Sequence, residues 1–243
     1  MEFRKILSNR SRMSKYKNLF IDLDDTLWDT YHNNKECLEE MYKTHHWDQH
    51  YASFEAFFSI YWPYNNHLWS LYRNREINRQ TLIFERFHHI LSPMGIEDPQ
   101  IILAMNEEFL ERTTAKTKLI SHALDILEYL RPSYNMYILS NGFREVQFKK
   151  LSNSGLAPYF SKMILSEDAC IQKPHKAIFD YALKNTNSRR HESLMIGDSW
   201  DADIVGAHNA KIDQLWFNPY DFPTNGFEPT YSIKSLLEIK NIL

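Results

Sequence analysis

The 243-residue chain is poor in cysteine: Cys37 and Cys170 are its only two, far apart and without a CxxC spacing. That argues against a disulfide scaffold and a thiolate zinc site, and it fits a reducing, cytoplasmic compartment. A surplus of positive charge is also missing. Lys plus Arg number 28 against 31 Asp plus Glu, for a formal net charge of −3. Binding a nucleic-acid polymer through its phosphates calls for the opposite balance, so no such partner is expected. No apolar run approaches the ~20 residues that span a bilayer, so no membrane helix is expected. The first 17 residues hold Arg4, Lys5, Arg10, Arg12, Lys15 and Lys17 but no apolar h-region and no small-residue cleavage site. A secretory signal is therefore not supported; residues 1–16 read as an N-terminal extension, with Met13 as a second candidate start. Internal repeats and low-complexity segments are absent.

What is present is an ordinary soluble composition, 43% hydrophobic and 24% charged, with an aromatic share of 14%. Five short apolar runs have the length of buried parallel strands: 18–23 (NLFIDL), 136–140 (MYILS), 163–166 (MILS), 194–197 (LMIG) and 214–218 (QLWFN). Helical stripes lie between them, among them Ala123, Ile126, Leu127 and Leu130, then Ile178, Phe179, Ala182 and Leu183, then Ile204, Ala207 and Ala210. This alternation predicts a doubly wound α/β fold with a parallel sheet. The stretch from Thr26 to Ser140 is roughly 80 residues longer than one crossover needs, and a structureless loop of that size does not suit a compact domain. Residues 31–112, which include Trp47, Trp62 and Trp69, carry helical spacings and read as an inserted helical domain. The α/β part is thus expected over 17–30 and 113–243, with a surface loop at 219–229 before a last helix.

Carboxylates gather where the strands end. The first run leads into Asp22-Leu23-Asp24-Asp25-Thr26, the second into Ser140-Asn141-Gly142, and the fourth into Gly197-Asp198-Ser199-Trp200-Asp201-Ala202-Asp203; Lys173-Pro174 follows the third. Open parallel sheets bind ligands at these ends. Taken singly, each aspartate reads as a solvated turn residue or helix cap, and Lys173, Ser140 and Asn141 as surface or turn residues. Taken together they form a kit for phosphoryl transfer: a nucleophile in Asp22, an acid and base in Asp24, hydroxyl and amide groups at Ser140 and Asn141, and a cation in Lys173. Converging carboxylates repel unless a cation is present, and oxygen-only ligands suit Mg²⁺.

These four motifs, DLDDT at 22–26, SNG at 140–142, KP at 173–174 and GDSWDAD at 197–203, resemble those of the haloacid dehalogenase (HAD) superfamily. They stand in its order, each at the end of an expected strand. The resemblance implies a Rossmann-like core with a helical C1 cap between the first and second motifs. It implies Asp22 as nucleophile and Asp24 as general acid and base. Thr26 supports the first loop, and Thr26, Ser140, Asn141 and Lys173 are expected around the substrate phosphate. Asp22, Asp24 (through its backbone carbonyl) and Asp198 are expected to hold Mg²⁺, with Asp203 beside them and Asp201 off the pattern. The acid at Asp24 separates phosphatases from the dehalogenase branch, whose halide leaves without protonation.

Segments 66–87, 140–156, 173–183 and 206–219 are most similar to the bacterial pyrimidine 5′-nucleotidase branch. The expected activity is a Mg²⁺-dependent phosphomonoesterase acting through an aspartyl-phosphate, on a small phosphorylated metabolite, a nucleoside 5′-monophosphate first among them. The alternatives are a sugar-phosphate or phosphoglycolate phosphatase, a phosphomutase or phosphotransferase, and a non-enzymatic sensing module. A monomer or homodimer is expected. Asn66, Trp69 and Arg86 are the specificity candidates in the inserted domain; Trp62, Tyr64, Trp69 and Tyr72 read as bundle packing before stacking surface. His45, His46, His50, His88 and His89 read as a polar face, since HExxH and a third ligand are lacking. Cys170 reads as an ordinary buried thiol.

Overall fold

The computed structural model describes residues 15–243; the expected extension over 1–16 lies outside them except for Lys15 and Tyr16. Among the described residues six strands occur: β1 (Asn18–Ile21), β2 (Asn135–Ser140), β3 (Lys162–Leu165), β4 (Ser193–Gly197), β5 (Asp213–Phe217) and β6 (Tyr231–Ile233). The main helices are α1 (Thr30–Thr44), α2 (Phe54–Arg73), α3 (Arg79–Leu91), α4 (Pro99–Thr114), α5 (Ala123–Leu130), α6 (Arg144–Asn153), α7 (Lys176–Asn185) and α8 (Val205–Asn209). The residues divide into an α/β unit (15–27, 120–140 and 158–243) and a helical unit (28–119 and 141–157). No helix among the described residues is long and apolar enough to cross a membrane.

In the α/β unit the six strands form one parallel sheet in the order β3-β2-β1-β4-β5-β6. β1 is central: the chain moves one way from it to β2 and β3 and the other way to β4, β5 and β6. Such a reversal opens a crevice at the carboxyl ends of the strands on either side of it. Every residue of β1 and β4 is buried, as expected of strands covered on both faces. On one face Phe20, Tyr137, Leu139, Ile164 and Met195 pack with Ile178, Phe179, Ala182 and Leu183 of α7 and Ala207 of α8. The five expected runs are β1 to β5. β6 escaped the apolar-run criterion because it has three residues at the sheet edge and buries only Ile233. The loop over 219–229 is without helix or strand, and the expected last helix is a 3₁₀ segment, Leu236–Asn241, closed by a Ser235/Glu238 capping box.

The helical unit owes its helix starts to local chemistry. Asp29 accepts from the His32 N–H, Ser53 from Ala56, Asn78 from Thr81 and Asp98 from Gln100, with Pro99 in the first turn of α4. Cys37, Leu38 and Met41 of α1, Phe57, Phe58 and Tyr61 of α2, Phe87 and Ile90 of α3, and Ile102 and Phe109 of α4 make its core. Residues 141–157, which the strand spacing assigned to the α/β part, group here because Phe143 and Val146 pack with Leu68 and Leu82. Trp69 and Tyr72 lie on Phe143, and Trp62 stacks on Phe58 at 5.7 Å. Cys170 departs from its expectation. It is exposed, at the left-handed end (φ 50°) of the helical turn Ser166–Ala169, whereas Cys37 is buried in the helical core.

Candidate active site

Asp22 directly follows β1, and its N–H donates to the Ile196 carbonyl of β4 at 2.9 Å, extending the ladder by one rung. The chain then turns: Leu27 N–H donates to Leu23 O at 3.0 Å, and Asp25 adopts a left-handed φ of 56°, a conformation that aspartate tolerates better than most residues. Asp22 is buried and Asp24, two residues on, is half-buried. Across the sheet, Lys173 is 2% exposed and spends its ammonium on three acceptors: Asp22 Oδ1 at 2.6 Å, Asp203 Oδ1 at 2.7 Å and the Leu139 carbonyl at 2.7 Å. Three donors meet three acceptors, so a lysine that would be costly to bury alone is fully engaged.

Asp198, at the end of β4, is held from two sides. Thr26 Oγ1 donates to its Oδ1 at 2.8 Å and accepts from its N–H at 3.0 Å, while the Trp216 indole N–H of β5 donates to its carbonyl at 2.8 Å. Asp203 Oδ2 accepts from the Ser199 N–H at 3.2 Å, which curls the π-helical turn Trp200–Ile204 back over the strand end. Gly197 makes this possible, since a Cβ there would overlap the Asp203 carboxylate. Among the described residues, Asp22, Asp198 and Asp203 each bring a carboxylate oxygen within 4.8 Å of the others.

Three carboxylates against one ammonium leave an excess of negative charge. Burial, then the neighbouring Asp203 and Asp24, push the Asp22 carboxyl up to about 7, with Lys173 pulling the other way. Burial and the charges of Asp22, Asp203 and Asp25 hold Asp198 well above the ordinary carboxylate range, against the Thr26 hydrogen bond. For Lys173 burial favours loss of the proton, but Asp203 and Asp22 outweigh it and raise its pKa. A buried all-oxygen donor set that resists carrying its own negative charge fits a hard divalent cation such as Mg²⁺.

Among the expected core residues Lys173 binds Asp22 and Asp203, Thr26 binds Asp198, and Ser140 ends β2 next to the carbonyl that receives Lys173. Asn141 follows it. Thr26 differs from its expected phosphate contact: it is fully buried, and its one donor is used on Asp198. Asp201 is exposed, off the cluster. Asn66 is exposed, Trp69 lies on Phe143, and Arg86 is buried with Phe109. His45 is half-buried, contacts Glu108 at 2.9 Å and stacks on the buried Trp47, so its ring is packed and does not stand on a solvated face. Trp216 was missed, because an indole within an apolar run reads as core and nothing in the sequence tells which carbonyl its N–H will meet.

A family model described as haloacid dehalogenase-like hydrolase matches residues 19–217. The chain is 33% identical over 236 residues to the pyrimidine 5′-nucleotidase PynA of Streptococcus pneumoniae, covering 94% of this chain and 97% of that one. It is 31% identical over 188 residues to the pyrimidine 5′-nucleotidase YjjG of Escherichia coli, covering 76% and 82%. Among solved structures, the magnesium-bound HAD-hydrolase YfnB of Bacillus subtilis superposes with a TM-score of 0.83 at 30% identity, covering 93% of this chain and 98% of that one. With its sheet order, its four motif ends and this likeness along nearly its whole length, the chain belongs to the haloacid dehalogenase-like hydrolase family.

Proposed function

We propose that this hydrolase is a Mg²⁺-dependent phosphomonoesterase that removes phosphate from pyrimidine nucleoside 5′-monophosphates through an aspartyl-phosphate on Asp22. The observation that carries the reading is the Asp22–Lys173–Asp203 chain of ion pairs beside Asp198, with a second carboxyl, Asp24, two residues from the first. The names of the PynA and YjjG relatives supply the substrate class.

Lys173 fixes the Asp22 carboxylate and favours its ionised form for attack. An oxygen of Asp22 bonds to phosphorus as the ester P–O bond breaks, and the carboxyl of Asp24 gives its proton to the leaving nucleoside oxygen. The Asp24 carboxylate then takes a proton from water, whose oxygen attacks phosphorus and releases inorganic phosphate and free Asp22. Ser140, Asn141 and Lys173 hold the phosphoryl oxygens, while Thr26 and Trp216 keep the Asp198 loop in place. Asp22, Asp198 and the Asp24 carbonyl would hold Mg²⁺, which neutralises charge on the phosphoryl oxygens when bound. The deciding experiment is phosphate release from a panel of nucleoside monophosphates and sugar phosphates, with Mg²⁺ and with EDTA. EDTA-sensitive release favouring CMP, UMP or dTMP is expected. Faster release from sugar phosphates would keep the chemistry and overturn the nucleotide reading, and transfer of the phosphoryl group to an added sugar would make the protein a phosphotransferase.

A further inference from the structure

The inward face of α6 is half polar: Val146, Gln147, Lys150 and Leu151 are its buried residues. Lys150 is 6% exposed, and its ammonium lies 4.1 Å from the centre of the Trp28 ring, which accounts for its place. Gln147 is wholly buried. Packing alone does not call for a carboxamide there, since a methionine would fill the volume without withdrawing polar groups from water. The chain just before α6 shows what Gln147 lies against. A Cβ at Gly142 would fall 2.9 Å from Gln147 Cγ and nearer still to Cδ and Nε2, so the glutamine side chain runs along the glycine backbone. Gly142 is not required by its own conformation. Gly95, Gly155 and Gly226 have left-handed φ values and Gly142 does not, so close approach is what excludes a side chain from it. The first turn of α6 fixes the approach, because the Val146 and Gln147 N–H groups both donate to the Phe143 carbonyl, at 3.1 and 2.9 Å. Asn141 and Gly142 are half-buried, so a turn that rests on a buried glutamine is still reached by solvent.

We propose that Gln147 is a positioning residue for the reaction: its carboxamide seats the Asn141–Gly142 turn in the arrangement that presents the turn's amide groups to the phosphoryl oxygens. This rests on the phosphomonoesterase reading above and not on its nucleotide part. The chemistry of the side chain suits the task. A carboxamide is neutral, so it does not repel a phosphate dianion as a carboxylate would, and it both donates and accepts, as the peptide groups of a turn require. Gly142 and Gln147 then act as one device. The glycine leaves the room, and the glutamine occupies it and restrains a backbone that glycine would otherwise leave loose. A turn that is set before the substrate arrives needs no reorganisation when negative charge builds on the phosphoryl oxygens in the transition state.

The test uses the full chain with Mg²⁺, para-nitrophenyl phosphate as the turnover probe and inorganic phosphate as the competing ligand. Gln147→Met keeps the volume and removes the carboxamide. Its melting temperature should stay within a few degrees of the parent, while kcat/KM falls by about tenfold or more, mostly in kcat, and inhibition by inorganic phosphate weakens by a similar factor. Gly142→Ala should be more damaging, because its Cβ meets the carboxamide. Joining it to Gln147→Ala removes that overlap, so the double variant should regain the melting temperature lost by Gly142→Ala and not the affinity for phosphate. Recovery of both would show that Gln147 only fills space and would overturn the proposal. So would a Gln147→Met protein with the parent's kcat/KM and phosphate inhibition; if that variant does not fold, the double variant decides. A parent protein that releases phosphate from no ester would sink the phosphomonoesterase reading and this proposal with it, whereas an active parent matched by Gln147→Met would sink the proposal alone.

Discussion

In the α/β unit a buried ammonium, Lys173, has three acceptors at 2.6–2.7 Å. In the helical unit a buried guanidinium, Arg86, has the Tyr61 phenol and the Phe109 ring as neighbours and is met by no carboxylate among the described residues. Both side chains are cationic and almost wholly withdrawn from water, and they differ in what was withdrawn with them. Around Lys173 the sheet delivers two carboxylates and a carbonyl from the ends of three strands, so the cation is compensated within the fold itself. Around Arg86 the helices deliver an aromatic ring and a phenol, and the compensation is left incomplete. The first arrangement is what a reacting centre needs, because its charges are already set before a substrate arrives.

The comparison can be broken at either end. Asp22→Asn removes the nucleophile and is expected to lower turnover by about 10⁴-fold or more, with the fold retained, as judged by circular dichroism and phosphate release; retained turnover would withdraw Asp22 from the chemistry. Lys173→Met leaves Asp22 and Asp203 buried against each other and should destabilise the chain by about 3–5 kcal/mol in urea denaturation. The matching change in the helical unit, Arg86→Met, should have the opposite sign, stabilising by about 1–3 kcal/mol, because it removes an uncompensated charge and keeps the volume. Equal signs for the two methionine variants would erase the distinction between the units.

A smaller effect is expected from pH. Asp22 has its carboxyl raised from 3.8 to about 7 in the folded chain, and Asp198 is raised as well. The folded state therefore binds these protons more tightly than the unfolded one, so the stability these two carboxyls contribute is fully present below 3.8 and is lost as pH climbs toward 7. Without divalent cation, melting should occur a few degrees lower at pH 8 than at pH 5.5, and millimolar Mg²⁺ should remove most of that difference. A melting temperature that ignores both would mean the three carboxylates do not share their charge.

The α/β architecture was readable because buried parallel strands are uniformly apolar, and Asp22, Asp198 and Lys173 were legible as a set of motifs in order where each alone reads as a turn or surface residue. Asp203 and Asp201 lie two residues apart, and only the curl of a π-helical turn, fastened by Ser199, separates the buried one from the exposed one. In the helical unit the direction of individual polar side chains was not legible. Asn66 was named from the sequence, yet Asn65 is the buried one, because one step along a helix rotates the side chain by about 100°. Spacing tells that a helix has an apolar face but does not tell which polar residue is turned into it when the flanking residues are all amphipathic. Trp216 and Thr26 were hidden for another reason: their function is a hydrogen bond to a distant backbone or carboxylate, and a sequence carries no mark of such a partner.

The pairing of β1 has a consequence for how the molecule comes into being. Its neighbours are β2, whose Asn135 lies 117 positions from its register partner Asn18, and β4, which is further still. During synthesis, at about 5–20 residues per second, the segment that bears Asp22 emerges first and waits many seconds for either neighbour. The helices of residues 28–119 can meanwhile find most of their contacts locally. Assembly should thus run from the middle of the chain outward, with the central strand seated late because its contacts span so much sequence. The nucleophile is among the first residues made and among the last to acquire its surroundings.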